Sequence, residues 1–456
     1  MAVCLAGALA PAAARAAAPA FRDGHGLRVV SVTQVDPRLV NVKLSTAALT
    51  GQPNVRILLP AGYASNPNAR YPVIYLIHGT SGRASDWTTM GDAEKTVGNR
   101  PVIVVMPDIG IDGDGGGWCT NWWNDGRGGK PMWETFHIDQ LIPWVDANLR
   151  TVANRDGRAI FGLSQGGFCA LSYAARHPDL FVSAGSFSGA DDIAAHGAIA
   201  DPLVTPVIQA TAVALDHVPP DSFFGPRASE EINWAAHDPA TLAGNLRGMN
   251  LYAFTGNGQP GPLDPPVPNS GAITIEAGAH ELTQLFHDTL TSLGIPIHYD
   301  DYGPGTHTWP YWARDFRQVI DSVMHDFAAA PPLPRPIRYQ SADPSYSAWG
   351  WRVNVRRPAR EFSTLAGASA RGFSLSGSGS ATVVTPALYG KRARLVVRIA
   401  SPAERRSVRL RADRRGRLRV SLRLGPGNPF QEFTPQAAAA GTKVYTAKVS
   451  ARRRSH

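Results

Sequence analysis

The pentapeptide Gly162-Leu163-Ser164-Gln165-Gly166 constrains this chain more than any other stretch, because of what stands on either side of it. Before it, Ala159 to Gly162 reads as a short apolar strand; after it, Gly166 to His177 has the composition of a buried helix. A chain that passes from strand to helix in so few residues must turn sharply, and small residues at 162 and 166 let it do so. Such a turn lifts the serine hydroxyl out at the carboxyl edge of a sheet, where the following helix presents its positive end. Ser164 is therefore the candidate nucleophile.

The remaining elements predict the sheet. Leu27 to Val35, Val40 to Leu44 and Val55 to Leu59 read as opening strands. Tyr71 to Ile77 and Val102 to Met106 are continuous apolar runs, as strands covered on both faces require. A helical pattern over Trp133 to Leu149 follows. Strands at Val182 to Phe187, Leu251 to Thr255 and Ile297 to Tyr302 then alternate with helices such as Glu281 to Leu293 and Trp309 to Phe327. This order predicts an α/β fold, a doubly wound and mostly parallel sheet of the α/β-hydrolase kind.

In that arrangement the base and the acid follow the serine in the chain. His307 fits, in the loop Gly303-Pro-Gly-Thr-His-Thr-Trp after the last strand, whereas His280, His287 and His298 fall on helical or strand segments. For the acid, Asp264, Glu276, Asp300 and Asp301 compete, and spacing does not choose among them. An oxyanion needs two backbone N–H groups. Gln165, directly after the nucleophile, supplies one, and Thr80 in His78-Gly79-Thr80-Ser81, just beyond the apolar strand ending at Ile77, is the candidate for the other. His78 is expected to pack beside the site.

Ile103-Val-Val-Met-Pro, Trp133-Glu-Thr-Phe, Gly162-Leu-Ser, Ala175-x-His-Pro, Gly256-Asn-Gly and Gly305-Thr-His-Thr-Trp-Pro-Tyr-Trp together resemble the antigen 85 mycolyltransferases over roughly residues 25 to 325. The resemblance implies Ser164 as nucleophile, His307 as base, Glu276 as acid, and Thr80 and Gln165 as oxyanion donors. Where the family carries Asp-Gly-Leu-Arg for its trehalose substrate, this chain has His78-Gly79-Thr80-Ser81, and both sugar-binding charges are absent. The loop before Trp133 lacks the family's paired cysteines and keeps Cys119 alone. What the resemblance implies is thus a serine esterase or acyltransferase on carboxylic esters, with the acceptor open. The competing reading is a noncatalytic envelope-binding protein on a hydrolase scaffold, against which the intact Ser, His and acid set speaks.

Length and charge divide the chain. At 456 residues it exceeds one ordinary core. The stretch 328–336, Ala-Ala-Ala-Pro-Pro-Leu-Pro-Arg-Pro, cannot continue a helix and predicts a linker between a catalytic domain, 21–327, and a C-terminal domain, 337–456. Residues 331–456 hold 25 Lys or Arg against five Asp or Glu, so the whole-chain charge of +9 leaves the first 330 residues at −11. The part with the motifs is mildly acidic, which argues against a nucleic-acid partner. In the tail Val408, Leu410 and Ala412, then Leu418, Val420, Leu422 and Leu424, alternate with polar residues around the turn Asp413-Arg-Arg-Gly416. This predicts a hairpin with one apolar and one Arg-rich face, inside a small all-β sandwich whose end, Arg452 to His456, is frayed. Such a face suits an anionic envelope polymer or lipid, with binding that salt weakens.

Met1 to Ala20, rich in Ala and Leu and ending in small residues, predicts a signal peptide and a secreted or envelope location. Later apolar runs fall short of the roughly 18 residues a spanning helix needs. Cys169, on the helix after the nucleophile, is expected to be a small core residue rather than a disulfide partner of Cys119. No metal or cofactor is implied, since neither Cys nor His recurs at ligand spacing, and the Asp112-Gly-Asp114 loop lacks the Glu that closes an EF-hand. Trp118, in the Gly-rich loop, and Trp309, beside His307, are the candidate contacts for an acyl chain.

Overall fold

The computed structural model describes residues 19–123, 131–195, 200–267 and 269–453. The expected signal peptide lies almost wholly outside the described residues, as do the end of the loop after Trp123 and the last three residues.

Nine strands form the first sheet: β1 Leu27–Gln34, β2 Leu39–Thr46, β3 Asn54–Leu58, β4 Val73–Ile77, β5 Ile103–Pro107, β6 Arg158–Leu163, β7 Ser183–Phe187, β8 Asn250–Thr255 and β9 His298–Asp301. Their order is β1-β2-β3-β5-β4-β6-β7-β8-β9. The first three are antiparallel to their neighbours, and from β5 to β9 every pair is parallel. A parallel sheet needs cover on both faces, and the two-residue side-chain period provides two apolar surfaces. Val73, Tyr75 and Ile77 of β4 point into one core with Phe168, while Ile74 and Leu76 point into another with Trp87, Phe316 and Val319. This is the expected α/β-hydrolase architecture.

The helices are α1 Asp86–Thr89, α2 Ala93–Val97, α3 Ile142–Asn148, α4 Gln165–Arg176, α5 Ala200–Ala214, α6 Arg227–Ala235, α7 Ser270–Ser292, α8 Trp309–Ala328 and α9 Pro435–Ala439. The expected helix from Trp133 is present, but its first part, Thr135–Leu141, is wound as a π-helix. α7 starts eleven residues before the expected Glu281. Its cap explains this: the Asn269 side chain accepts from the N–H groups of Gly271 and Ala272, satisfying donors that a helix start leaves open. The extension puts Glu276 inside a helix.

The second unit is all-β. Strands β10 Ile337–Ser341, β13 Ser363–Ser369, β14 Gly372–Gly377, β19 Tyr445–Arg453, β16 Arg394–Ala400 and β17 Arg405–Arg411 make a six-stranded sheet, and β11 Ser345–Ala348, β12 Trp351–Arg356, β15 Ser380–Val384 and β18 Arg419–Arg423 a four-stranded one. Trp351, Val353, Leu375, Val397 and Val420, drawn from both sheets, share one core. The expected hairpin is not formed. Its turn is present, with Asp413 N–H donating to Arg417 O at 2.8 Å, but β17 pairs with β16 and β18 with β15. Alternation marks which face of a strand is buried and says nothing of its neighbour; here the turn joins the edges of two facing sheets. Nor are Arg452 and Arg453 frayed, since they pair with Val396 and Leu395 inside the six-stranded sheet.

The two units share polar contacts. Arg176, at the end of α4, makes two hydrogen bonds to Glu134, at 2.8 and 3.1 Å, and one to Asp343 of the second unit at 3.2 Å. Burial alone would raise the Glu134 carboxyl, yet Arg176 and His177 hold it well below the usual carboxylate range. Asn245 and Gln340 exchange two hydrogen bonds, and Trp349 N–H donates to Asp179. The Pro-rich stretch runs along the first unit: Arg155 donates to Pro331 O, and a side chain at Gly248 would meet Pro334.

Candidate active site

Ser164 sits between β6 and α4 with φ 53° and ψ −126°, a left-handed conformation that costs a non-glycine residue of order 1–3 kcal/mol. The flanking glycines allow it. A Cβ at Gly162 would lie 2.1 Å from Gly166 O, and one at Gly166 would lie 2.3 Å from His78 O. The serine N–H is fixed by Phe187 O at 2.9 Å.

Ser164 Oγ lies 2.8 Å from His307 Nε2, and His307 Nδ1 lies 2.7 Å from Glu276 Oε2. Glu276 is fully buried, and its other oxygen accepts from Ser188 Oγ at 2.8 Å, Gly256 N–H at 2.8 Å and Thr255 Oγ1 at 3.3 Å. An ionised carboxylate only accepts, so Nδ1 carries the imidazole proton and Nε2 is left free to accept from the serine hydroxyl. His307 packs edge-on against Trp312, whose indole N–H donates to Ser188 Oγ. The same serine thus steadies both Glu276 and the neighbour of His307, a contact that no motif in the sequence announced.

The competing acids are occupied elsewhere. Asp264 accepts from Thr306 Oγ1, from Tyr311 OH at 2.9 Å and from Gly261 N–H at 2.8 Å, which makes it a clasp for the loop before His307. Asp300 pairs with Arg314 and Asp301 with His280.

Gln165 opens α4, so its N–H has no carbonyl a turn earlier to bond. Thr80 stands beside it, with Gln165 Nε2 donating to Thr80 Oγ1 at 3.2 Å. Gly79 lets that loop approach, because a Cβ there would lie 3.0 Å from the Ser164 Cβ. His78 is buried, accepts from Ile109 N–H through Nε2 at 3.1 Å and reaches Gly79 O through Nδ1 at 2.7 Å. Burial holds its pKa below the ordinary histidine value, and as a neutral donor and acceptor it pins the loop.

Ser164, His307, Thr80 and Gln165 all line one cavity of about 670 Å³. Its remaining wall is mostly apolar. Trp118 and Trp309 both belong to it: Trp118 is packed on Phe168 and bonded to Thr211 Oγ1, and Trp309 is packed on Trp87 and Trp312. Sequence reading missed the opposite wall, formed by α5 through Leu203, Val204, Val207 and Ile208 and by α7 through Ile275 and Leu282. The signal was there: 203, 204, 207, 208, 211 and 215 follow a helical period. Val207 is 43 % exposed and Ile275 50 % exposed, an apolar rim open to solvent.

Cys119 and Cys169 form a disulfide, with Cα atoms 5.4 Å apart, which corrects the expectation that Cys169 is only a core residue. The helix position of Cys169 did not reveal that the turn at Trp118 and Cys119, both at positive φ, folds back onto α4. The bond ties the Trp118 wall of the cavity to the helix that begins after Ser164.

A family model described as putative esterase matches residues 46–321. The esterase Rv1288 of Mycobacterium tuberculosis is 34 % identical over 305 residues, covering 66 % of this chain and 62 % of its own length. This chain thus spans under two thirds of that relative. The diacylglycerol acyltransferase/mycolyltransferase Ag85B of Mycobacterium leprae is 29 % identical over 57 % of this chain and 77 % of its own. The crystal structure of Mycobacterium tuberculosis MPT51 superposes with a TM-score of 0.48 at 24 % identity, over 63 % of this chain and 97 % of that one.

Proposed function

The chain belongs to the putative esterase family, and on that premise we propose that it is a secreted serine esterase or acyltransferase, working through an acyl-enzyme on Ser164. The observation that carries the reading is the continuous hydrogen-bonded series Ser164, His307, Glu276 at the floor of an apolar cavity. His307 Nε2 takes the hydroxyl proton as Oγ attacks the ester carbonyl carbon. Glu276 orients the ring and stabilises the imidazolium. The Thr80 and Gln165 N–H groups stabilise the oxyanion, a contribution of about 3–4 kcal/mol for one such donor in related chemistry. When the adduct collapses, the ester C–O bond breaks and the alcohol leaves with the proton held by His307. Water or a hydroxyl acceptor then attacks the acyl-Ser164, and the same histidine removes its proton.

The cavity's apolar wall, with Trp118 and Trp309 in it, suits the acyl chain of a lipid or glycolipid ester. Export is supported by the Ala-rich leader and by the disulfide, which persists in oxidising compartments. We assign residues 21–327 to catalysis and the basic unit, 337–456, to holding the enzyme at an anionic envelope surface.

Water is the favoured acceptor. His78 is consumed in pinning its own loop and Ser81 carries no charge, so neither position forms the charge-assisted bonds that would position a sugar ahead of concentrated water. Given a long-chain acyl ester together with trehalose, the enzyme is expected to release mainly free fatty acid, read by mass spectrometry. Acyl-trehalose as the major product would overturn the hydrolytic preference, and acyl-glycerol on adding glycerol would identify another acceptor.

A further inference from the structure

The outer face of the four-stranded sheet has an order that its function as a sandwich wall does not require. The register aligns Ser345, Asn354, Thr382 and Ser421 in one row across β11, β12, β15 and β18. All four are short, neutral and able to donate and accept hydrogen bonds. Two residues to one side the same pairing aligns Arg356, Ser380 and Arg423; two residues to the other it aligns Arg352, Val384 and Arg419. A polar floor is thus bordered on each side by a pair of exposed arginines. Beyond β18, Arg406 of β17 reaches over to donate to Ser421 O at 2.7 Å and raises the rim. The result is two joined hollows, of about 520 and 280 Å³, that share Asn354, Arg356 and Thr382.

The arginines are poorly neutralised. Glu404 bonds Arg406 at 2.8 Å and lies 4.0 Å from Arg423, but among the described residues no carboxylate lies within 4.0 Å of Arg352, Arg356 or Arg419. Like charges set along two edges of a groove repel one another and lower stability unless something anionic lies between them.

We propose that this groove binds an extended anionic glycan, a chain of sugar or polyol units bearing carboxylate or phosphate groups. The arginine pairs take the anionic groups, about 13 Å apart across the floor by the strand rise of four residues, and the row of hydroxyls and amide takes the hydroxyl groups between them. Nucleic acid fits less well, since the groove presents no aromatic ring on which a base would stack. A bilayer also fits less well, because a flat surface does not reach a recessed floor. The inference deepens the assignment of the basic unit to an anionic envelope surface and rests on it.

The six-stranded sheet supplies a control within the same molecule. Its outer face carries Arg394 and Arg398 on β16, Arg405 and Arg409 on β17, and Lys448 and Arg452 on β19, a charged surface without the row of short polar residues that floors the groove. The test compares full-length protein, the groove variant Arg356→Gln/Arg423→Gln and the face variant Arg394→Gln/Arg409→Gln, which change net charge equally. Binding to polygalacturonate is measured at several salt concentrations, with dextran, single-stranded DNA and phosphatidylglycerol vesicles alongside. The groove variant is expected to lose about tenfold in affinity for polygalacturonate and to show a shallower salt slope, against a loss of about twofold for the face variant. Hydrolysis of a short p-nitrophenyl ester and the melting temperature check that both variants are folded.

Equal losses in the two variants would overturn the groove while leaving a general anionic attraction standing. Absence of polygalacturonate binding in the unmodified protein at low salt would overturn both. Tighter binding of vesicles or DNA than of polygalacturonate would overturn the choice of glycan.

Discussion

The two units handle charge in opposite ways. In the first, each partner of the carboxylates near Ser164 is specified: buried Glu276 has four hydrogen-bonding neighbours and half-buried Asp264 has three. In the second, charge is abundant and exposed, with Arg394, Arg398 and Arg409 standing on open sheet faces. A buried carboxylate derives its effect from exact partners in a low dielectric, so one substitution disrupts it strongly. An exposed arginine acts as part of a field, so one substitution changes little and salt weakens the whole. On the proposed reading, one unit serves chemistry at a point and the other adhesion over an area.

The sharpest way to break this contrast is at the acid. Glu276→Gln is expected to lower kcat by about 10³ to 10⁴, because the amide no longer fixes the His307 tautomer. Asp264→Asn keeps most of the loop clasp and is expected to cost far less. Steady-state kinetics of the two variants on one ester decide it; a silent Glu276→Gln beside a damaging Asp264→Asn would show that the buried partner set has been misassigned.

A smaller effect is expected in the acyl wall. Leu203→Trp fills part of the cavity, so turnover of a long-chain ester should fall by roughly tenfold while a short ester is nearly unaffected. An equal loss on both substrates would mean that the α5 wall serves folding and not the acyl chain.

The disulfide gives the smallest effect on chemistry. Replacing Cys119 and Cys169 by serine is expected to cost about 2–4 kcal/mol of stability, read from thermal or denaturant unfolding, with kcat on a short ester kept within a few-fold. Unchanged stability would indicate that packing of Trp118 on Phe168, and not the covalent tie, holds that wall.

Much of the catalytic unit was legible because its signals are local. The pattern of glycines at 162 and 166 around Ser164 is contiguous, although the carbonyl that excludes a side chain at Gly166 is the distant His78 O, and the apolar runs at β4 and β5 declare strands covered on both faces. What lay hidden depends on distant partners. Spacing left four acids open because the deciding contacts come from Ser188 on one loop and Gly256 on another. Cys119 meets Cys169 through a turn whose φ values the sequence does not display. In the second unit the alternation around Asp413 marked the buried faces correctly, but two edges of facing sheets and a hairpin share that pattern. Resemblance, rather than residue spacing, singled out Glu276.

The most direct measurement is the site of covalent capture. The unmodified protein and Ser164→Ala are treated with a fluorophosphonate probe and, separately, with a slowly deacylating ester, and the adducts are mapped by peptide mass spectrometry. The expected result is one stoichiometric adduct on the peptide containing Ser164, and none in Ser164→Ala, with its ester turnover reduced by at least about 10³-fold. Full labelling of Ser164→Ala, or an adduct on another residue of the unmodified protein, would contradict the account.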